Sequence, residues 1–452
     1  MRIKPLFVLM VIAFISCSSN PDITDPDTSG NQGVSVISKN NRVIYEVNVR
    51  NYSAEGNFAG VEKDLPRLKS LGADILWLMP IHPIGKENRE GTKGSPYAVK
   101  DYKAVNPDYG TLADLQSLVK AAHAANMEIW LDWVANHTAW DHVWVKDHLD
   151  YYAEKEGVRP YSPNDWGDVI QLDYNNAAMR AAMIDAIKYW VQEADIDGFR
   201  CDAASFIPLS FWREARAEVN KIKNITWLAE GDNPEYMEVF DYDYAWEFNT
   251  QLNTFGKENN VTALIDACRK LYDNSNYSAK GRMVFLTNHD LNAYDGTEFV
   301  RYGDALLPLT VLSFTIYDMP LIYNGQEIGM NKSMGLFDIE KVQWSPVNQT
   351  ISNLIKKLTQ LKRTQLALES GAGRGTLTCY QMSSDKVFAY SRKKGSNEVL
   401  VLLNFGPSPV NVRFSDQAPS GNFTNYLKSG NQEFTSQTVL TLPANGYAIY
   451  VK

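Results

Sequence analysis

Acidic residues recur at one kind of place in this 452-residue chain, at or just after the end of a short apolar run. Asp132 follows residues 129–131, Asp202 follows Gly198 and Phe199, Glu230 follows residues 227–229, and Asp290 follows residues 284–287. Arg200 stands two positions before Asp202, and residues two apart on an extended strand point to the same side. His137 and His289, two of the six histidines, occupy the same kind of position. One such acid is usually a solvated loop carboxylate; four of them with an arginine and two histidines form a chemical set. The chemistry that suits them is glycoside cleavage. One acid stays ionised to attack the anomeric carbon, and a neighbouring guanidinium lowers its pKa. A second holds its proton near neutrality, in a less polar setting, to protonate the leaving oxygen. A third stabilises the positive, oxocarbenium-like transition state and binds sugar hydroxyls.

Elements that converge are needed to hold such residues together. Eight short apolar runs read as strands: residues 43–49, 75–80, 128–134, 198–202, 226–230, 242–248, 283–287 and 321–323. Several are continuously apolar, as expected of parallel strands covered on both faces. Helical periods lie between them. In residues 111–126, Leu112, Leu115, Leu118, Val119 and Ala122 form one stripe, and Thr111 with Asp114 has the spacing of a capping box. Residues 176–194 carry Met179, Met183, Ile187, Trp190 and Val191. Eight strands alternating with helices over residues 40–370 predict an α/β fold of the (β/α)8 TIM-barrel type, in which residues just after each strand face the active site. A doubly wound sheet is the alternative, and no GxGxxG follows the first strand. The connection over residues 138–173 is too long for a plain barrel loop and predicts a small inserted subdomain after strand 3. It carries Trp140, Trp144 and Trp166, which suit sugar subsites and the core of an insert equally. His82 and His142 read as structural. Over residues 371–452 the pattern turns to alternating strands broken by Gly, Pro and Asn, a separate all-β sandwich domain.

Four segments, DWVANH from Asp132, GFRCD from Gly198, TWLAEG from Thr226 and TNHD from Thr287, resemble in order the signature regions of glycoside hydrolase family 13, the α-amylase family. GSPYAVKDYKAVNPDYGT from Gly94, LDYNN from Leu172 and MPLIYNGQE from Met319 support the resemblance, which covers about residues 40–370. It implies that Asp202 is the nucleophile, Glu230 the general acid/base and Asp290 the transition-state stabiliser. Arg200 would orient Asp202, His137 and His289 would bind the sugar in the cleavage subsite, Tyr97 would stack beneath it, and Asp132 would support the site from behind. The implied reaction is retaining cleavage of α-glucosidic bonds, most simply α-1,4, in starch-type glucans or malto-oligosaccharides. Transfer to a sugar acceptor at the same site is an alternative, as is a non-catalytic glucan-binding protein on the same scaffold, which the presence of all three acids disfavours. Asn136 and Asp173 align with two calcium ligands of the family, so a structural calcium is expected there, and no organic cofactor. Three departures stand out, one being that the inserted connection over residues 138–173 is short for the family. Ser95–Pro96 precedes Tyr97 where the family often has His-Gly, and Ser205–Phe206 occupies positions where many α-amylases carry Lys-His on the acceptor side.

The remaining features set the context. Residues 1–16 read as an export signal with a basic start and a short apolar core, and Cys17 after Phe14, Ile15 and Ser16 resembles a lipobox. A bacterial lipoprotein is expected, anchored through Cys17 at the outer membrane, the cell surface or the periplasmic face, with residues 17–39 as a flexible tether. The formal net charge of −9 argues against nucleic acid as a partner. A monomer is expected. Cys201, Cys268 and Cys379 are far apart, and CxxC, HExxH, phosphate-loop and GxSxG patterns are absent. The 11 Trp, 24 Tyr and 18 Phe supply flat apolar faces on which sugar rings can stack.

Overall fold

The computed structural model describes residues 41–164, 166–277 and 280–452. The export signal and tether expected over residues 1–39, with Cys17, lie outside them. Eight parallel strands close a barrel: β1 (Ile44–Val47), β2 (Ile75–Leu78), β3 (Glu128–Val134), β6 (Gly198–Asp202), β7 (Thr226–Ala229), β8 (Tyr242–Tyr244), β9 (Gly281–Val284) and β10 (Met319–Tyr323). Their order around the barrel is β1-β10-β9-β8-β7-β6-β3-β2. The two remaining strands of this stretch, β4 (His137–Ala139) and β5 (Val169–Gln171), pair antiparallel and form the base of the expected insert. Each of the eight predicted runs contains or overlaps a barrel strand. The run expected at 283–287 is displaced, because β9 takes up its pairing earlier, with Gly281 opposite Tyr242 and Met283 opposite Met319.

Alternation along the strands sorts the core. Residues on the Asp132 face, among them Trp130, Trp77, Ile44 and Leu228, fill the barrel interior as one buried cluster, and Leu131, Leu76 and Phe199 pack outward against the helices. Gly198 is required by this packing, since a Cβ there would lie 2.7 Å from both Trp130 Cδ1 and the Thr226 carbonyl oxygen. The helix Leu112–Ala124 begins with the predicted capping box: Thr111 Oγ1 accepts from the Asp114 N–H at 3.3 Å, and Asp114 Oδ2 accepts from the Thr111 N–H at 2.7 Å. His82 and His142 are buried, and burial lowers them to about 4 and about 3, so both are neutral packing groups.

After the helix Gln349–Thr364, the chain enters the all-β region, β11 (Thr376–Tyr380), β12 (Val387–Lys394), β13 (Asn397–Asn404), β14 (Val410–Arg413), β15 (Gly421–Asn425), β16 (Asn431–Phe434), β17 (Val439–Leu442) and β18 (Tyr447–Val451). A six-stranded sheet, β11-β12-β13-β18-β15-β16, packs over the pair β14-β17 around Phe414, Phe423, Phe434 and Leu440. Among the described residues, no helix is long and apolar enough to cross a membrane.

Candidate active site

The strand ends bring Asp202, Glu230, Asp290, His137, His289 and Tyr97 onto one cleft of about 750 Å³. Arg200 lies beneath its floor, fully buried on β6. Its guanidinium is shared by three carboxylates. Nη1 donates to Asp132 Oδ1 and to Asp202 Oδ1, both at 2.9 Å. Nη2 lies 2.8 Å from Glu230 Oε1 without hydrogen-bond alignment, so that contact is electrostatic. Nε donates to the Tyr244 hydroxyl at 3.0 Å, which fixes the plane of the fork. Glu230 Oε2 accepts from the Ala203 N–H at 2.7 Å. Ala203 has φ of 44°, a left-handed conformation that costs an ordinary residue about 1–2 kcal/mol, and the sharp turn it makes after Asp202 carries its N–H across to β7.

Charge is in surplus here. Five carboxylates, Glu46, Asp132, Asp202, Glu230 and Asp290, surround two cations, Arg200 and His289. Burial pushes Asp202 up to about 6 and Glu230 up to about 7, with Arg200 pulling both back down. Both carboxyls are thus held toward neutrality as one coupled pair, so that a proton is retained between them where acid catalysis beside an ionised nucleophile needs it. Asp132, also raised to about 6 by burial, is fully enclosed and accepts from Trp77 Nε1 and the Tyr97 hydroxyl, each at 3.0 Å. It supports the cleft from behind, as the resemblance implies. Tyr97 is nine-tenths buried, and its ring stacks on His289 at 5.2 Å. The two cleft histidines differ in charge: burial lowers His137 to about 4, whereas Asp290 and Glu46 lift His289 to about 9 against the effect of burial.

The tryptophans of the insert divide. Trp144 packs into the core against Tyr102 and His142, Trp140 donates to the Gly167 carbonyl, and Trp166 lines the cleft beside His137. Among the described residues, three large aromatics are exposed, Trp166 (39%), Phe206 (60%) and Tyr294 (65%), and all three line this cleft. Sequence reasoning missed Glu46, Tyr244 and the Ala203 amide. Glu46 carried a readable signal, a carboxylate in the middle of an apolar strand; Ala203 carried none.

Asn136 and Asp173 come together on a neighbouring cavity of about 470 Å³. Their oxygens suit calcium chemically, and in this arrangement one side-chain oxygen of each is engaged by N–H donors. Asn136 Oδ1 accepts from Gln171 Nε2 at 3.0 Å, and Asp173 Oδ1 accepts from the Asn175 N–H and Nδ2 at 2.9 and 3.0 Å, so N–H groups face both. Among the described residues, no group of three His, Cys, Asp or Glu side chains is placed to hold a metal ion.

Comparison with known proteins agrees with this geometry. The family described as alpha amylase, catalytic domain, matches residues 22–171 and 165–363, and alpha amylase, C-terminal all-beta domain, matches residues 380–452. An alpha-amylase from Lactobacillus plantarum superposes with a TM-score of 0.80 at 32% identity, over 91% of this chain and 99% of that one. The alpha-amylase MalA of Haloarcula japonica is 26% identical over 89% of this chain and 62% of its own length. An alpha-1,4-glucan:maltose-1-phosphate maltosyltransferase of Picrophilus torridus is 26% identical over 83% of this chain and 62% of its own. The chain thus spans about three-fifths of the length of these two curated relatives. With both domains matched and the acids of all four signature segments at one site, three on the buried Arg200 and Asp290 on His289, this chain belongs to the alpha-amylase family.

Proposed function

We propose that the protein hydrolyses α-glucosidic bonds, α-1,4 bonds first, in malto-oligosaccharides or starch-type glucans, with retention of configuration. The observation that carries this reading is the single guanidinium of Arg200 in contact with both Asp202 and Glu230 on the floor of an aromatic-rimmed cleft. In the first step, an Asp202 carboxylate oxygen bonds to the anomeric carbon as the bond to the leaving oxygen breaks. Glu230 gives its proton to that oxygen. In the second, Glu230 takes a proton from water while the water oxygen bonds to the same carbon and the Asp202 ester bond breaks, its electron pair returning to the carboxylate. Asp290 lines the same cleft beside His289, where its charge offsets the positive charge developing on the sugar ring. His137 and His289 bind the hydroxyls of that sugar, and Trp166 and Tyr294 offer faces to its neighbours.

Transfer to a sugar acceptor is the second reading, and Phe206 favours it. It stands four residues after the nucleophile, exposed on the cleft beside Ser205 and Gly231, and offers a sugar-sized apolar face in place of a charged pair. Maltoheptaose digestion followed by mass spectrometry separates the two: hydrolysis gives only shorter chains, whereas transfer also gives chains beyond seven units, and Asp202→Asn gives neither. We further propose, from the sequence alone, export and lipid anchoring at Cys17; detergent-phase partitioning of the wild type but not of Cys17→Ala supports it. Calcium remains a proposal resting on the resemblance. It requires Gln171 to turn away from Asn136, and a melting temperature that rises with calcium and falls with EDTA supports it.

A further inference from the structure

Glu46 takes no part in the chemistry above, yet it sits in β1 with no exposed surface. Its Oε1 accepts from His289 Nδ1 at 2.5 Å, and its Oε2 is buried without a hydrogen-bond partner. On the other side of the ring, His289 Nε2 lies 2.8 Å from the Tyr97 hydroxyl and 3.3 Å from Asp290 Oδ2. The direction of each bond follows. The Tyr97 hydroxyl lies 3.0 Å from Asp132 Oδ2, a carboxylate oxygen that can only accept, and with its one proton given there its oxygen accepts from Nε2. Glu46 as a carboxylate can only accept from Nδ1. With Glu46 ionised and the Tyr97 proton on Asp132, both ring nitrogens carry protons, because a neutral ring would then set a lone pair against an oxygen in a dry site.

We propose that Glu46 is a positioning residue of the cleavage subsite: it fixes the rotation of His289 and keeps both ring nitrogens protonated, so that an N–H donor stays aimed between Tyr97 and Asp290. This deepens the reading above and rests on it for the place of the sugar. The charged and titratable groups facing the ring are Glu46 on β1, Tyr97 from the segment after β2, Asp132 on β3, Arg200 and Asp202 on β6, and Asp290 beside it. Carboxylates outnumber the one arginine, and the cation survives burial because of them.

Ring-nitrogen NMR on protein carrying labelled histidine tests this, with six histidines in the chain and His289 assigned by His289→Gln. In the wild type, His289 is expected to stay protonated through pH 8. In Glu46→Gln it is expected to titrate at least one pH unit lower, with kcat/KM on maltoheptaose at pH 7 down about tenfold, the scale of a weakened acid–base or donor group, and little change in melting temperature. Glu46→Asp, which keeps the charge, is expected to restore part of both. Wild-type His289 titrating at or below the ordinary histidine value, or an unchanged titration in Glu46→Gln, overturns the proposal. Should Glu46→Gln fail to fold, the wild-type titration alone decides. Because this readout needs no turnover, an inactive wild type would defeat the proposed hydrolysis without deciding the state of His289.

Discussion

Two arginines are buried in the same barrel among acids, and only one of them underlies the proposed catalytic acids. Arg200 on β6 and Arg282 on β9 are 0% and 2% exposed. Arg282 donates from Nε to Asp243 Oδ1 at 2.9 Å, contacts Asp232, donates to the Tyr244 carbonyl at 2.7 Å, and stacks over Tyr277 at 4.0 Å. Asp243 is enclosed with it and raised by burial to about 7, whereas Asp232 is partly exposed and reaches the edge of the cleft. Arg200 has more carboxylates than its charge can neutralise, and two of them, Asp202 and Glu230, open onto the cleft. Raised carboxyl pKa values therefore occur at both places, and a perturbed pKa alone does not mark catalysis. What sets Arg200 apart is that three carboxylates share it and two of them, Asp202 and Glu230, meet at the floor of the cleft.

Substitutions at the two centres should separate in kind. Asp202→Asn is expected to lower kcat on maltoheptaose by about 10⁴-fold or more, as loss of an activated nucleophile does, without lowering the melting temperature; steady-state rates and calorimetry check both. Arg200→Lys keeps the charge but loses the fork, and about a hundredfold loss in kcat is expected. Arg282→Met leaves Asp243 buried without its cation and is expected to cost about 3–5 kcal/mol of stability in urea unfolding, while kcat per folded molecule changes less than about threefold. Equal kinetic losses at Arg200 and Arg282 would erase the distinction drawn between them.

Smaller effects sharpen the picture. With Asp202 raised to about 6 and Glu230 to about 7, activity should rise as Asp202 ionises and fall as Glu230 loses its proton, giving a narrow bell in kcat/KM with its maximum between those values. The limbs belong to the coupled cluster rather than to either acid alone. Phe206→Ala is expected to lower the ratio of transfer to hydrolysis about three- to tenfold, the worth of one aromatic contact, with total bond cleavage little changed.

Much of this was legible from spacing. Apolar runs separated by helical periods located all eight barrel strands, and acids at their ends located Asp132, Asp202, Glu230 and Asp290. The capping box at Thr111 was readable because its two bonds are local. What stayed hidden depends on contacts distant in sequence. Glu46 and His289 are 243 positions apart and meet only because β1 and the end of β9 flank β10 in the closed barrel. The strand β9 begins earlier than its apolar run suggests, since pairing with β8 and β10 rather than hydropathy sets its ends. Trp144 and Trp166 belong to the same insert and have opposite fates: one packs against Tyr102 and His142, the other lines the cleft.

The most direct measurement is to trap the glycosyl-enzyme. Glu230→Gln, incubated with α-maltosyl fluoride, whose leaving group needs no acid, should accumulate a covalent maltosyl adduct, and peptide mapping by mass spectrometry should place it on Asp202. An adduct on another carboxylate, or a first-formed β-anomer from the wild type in proton NMR, would contradict the assignment of Asp202 as the nucleophile of a retaining reaction.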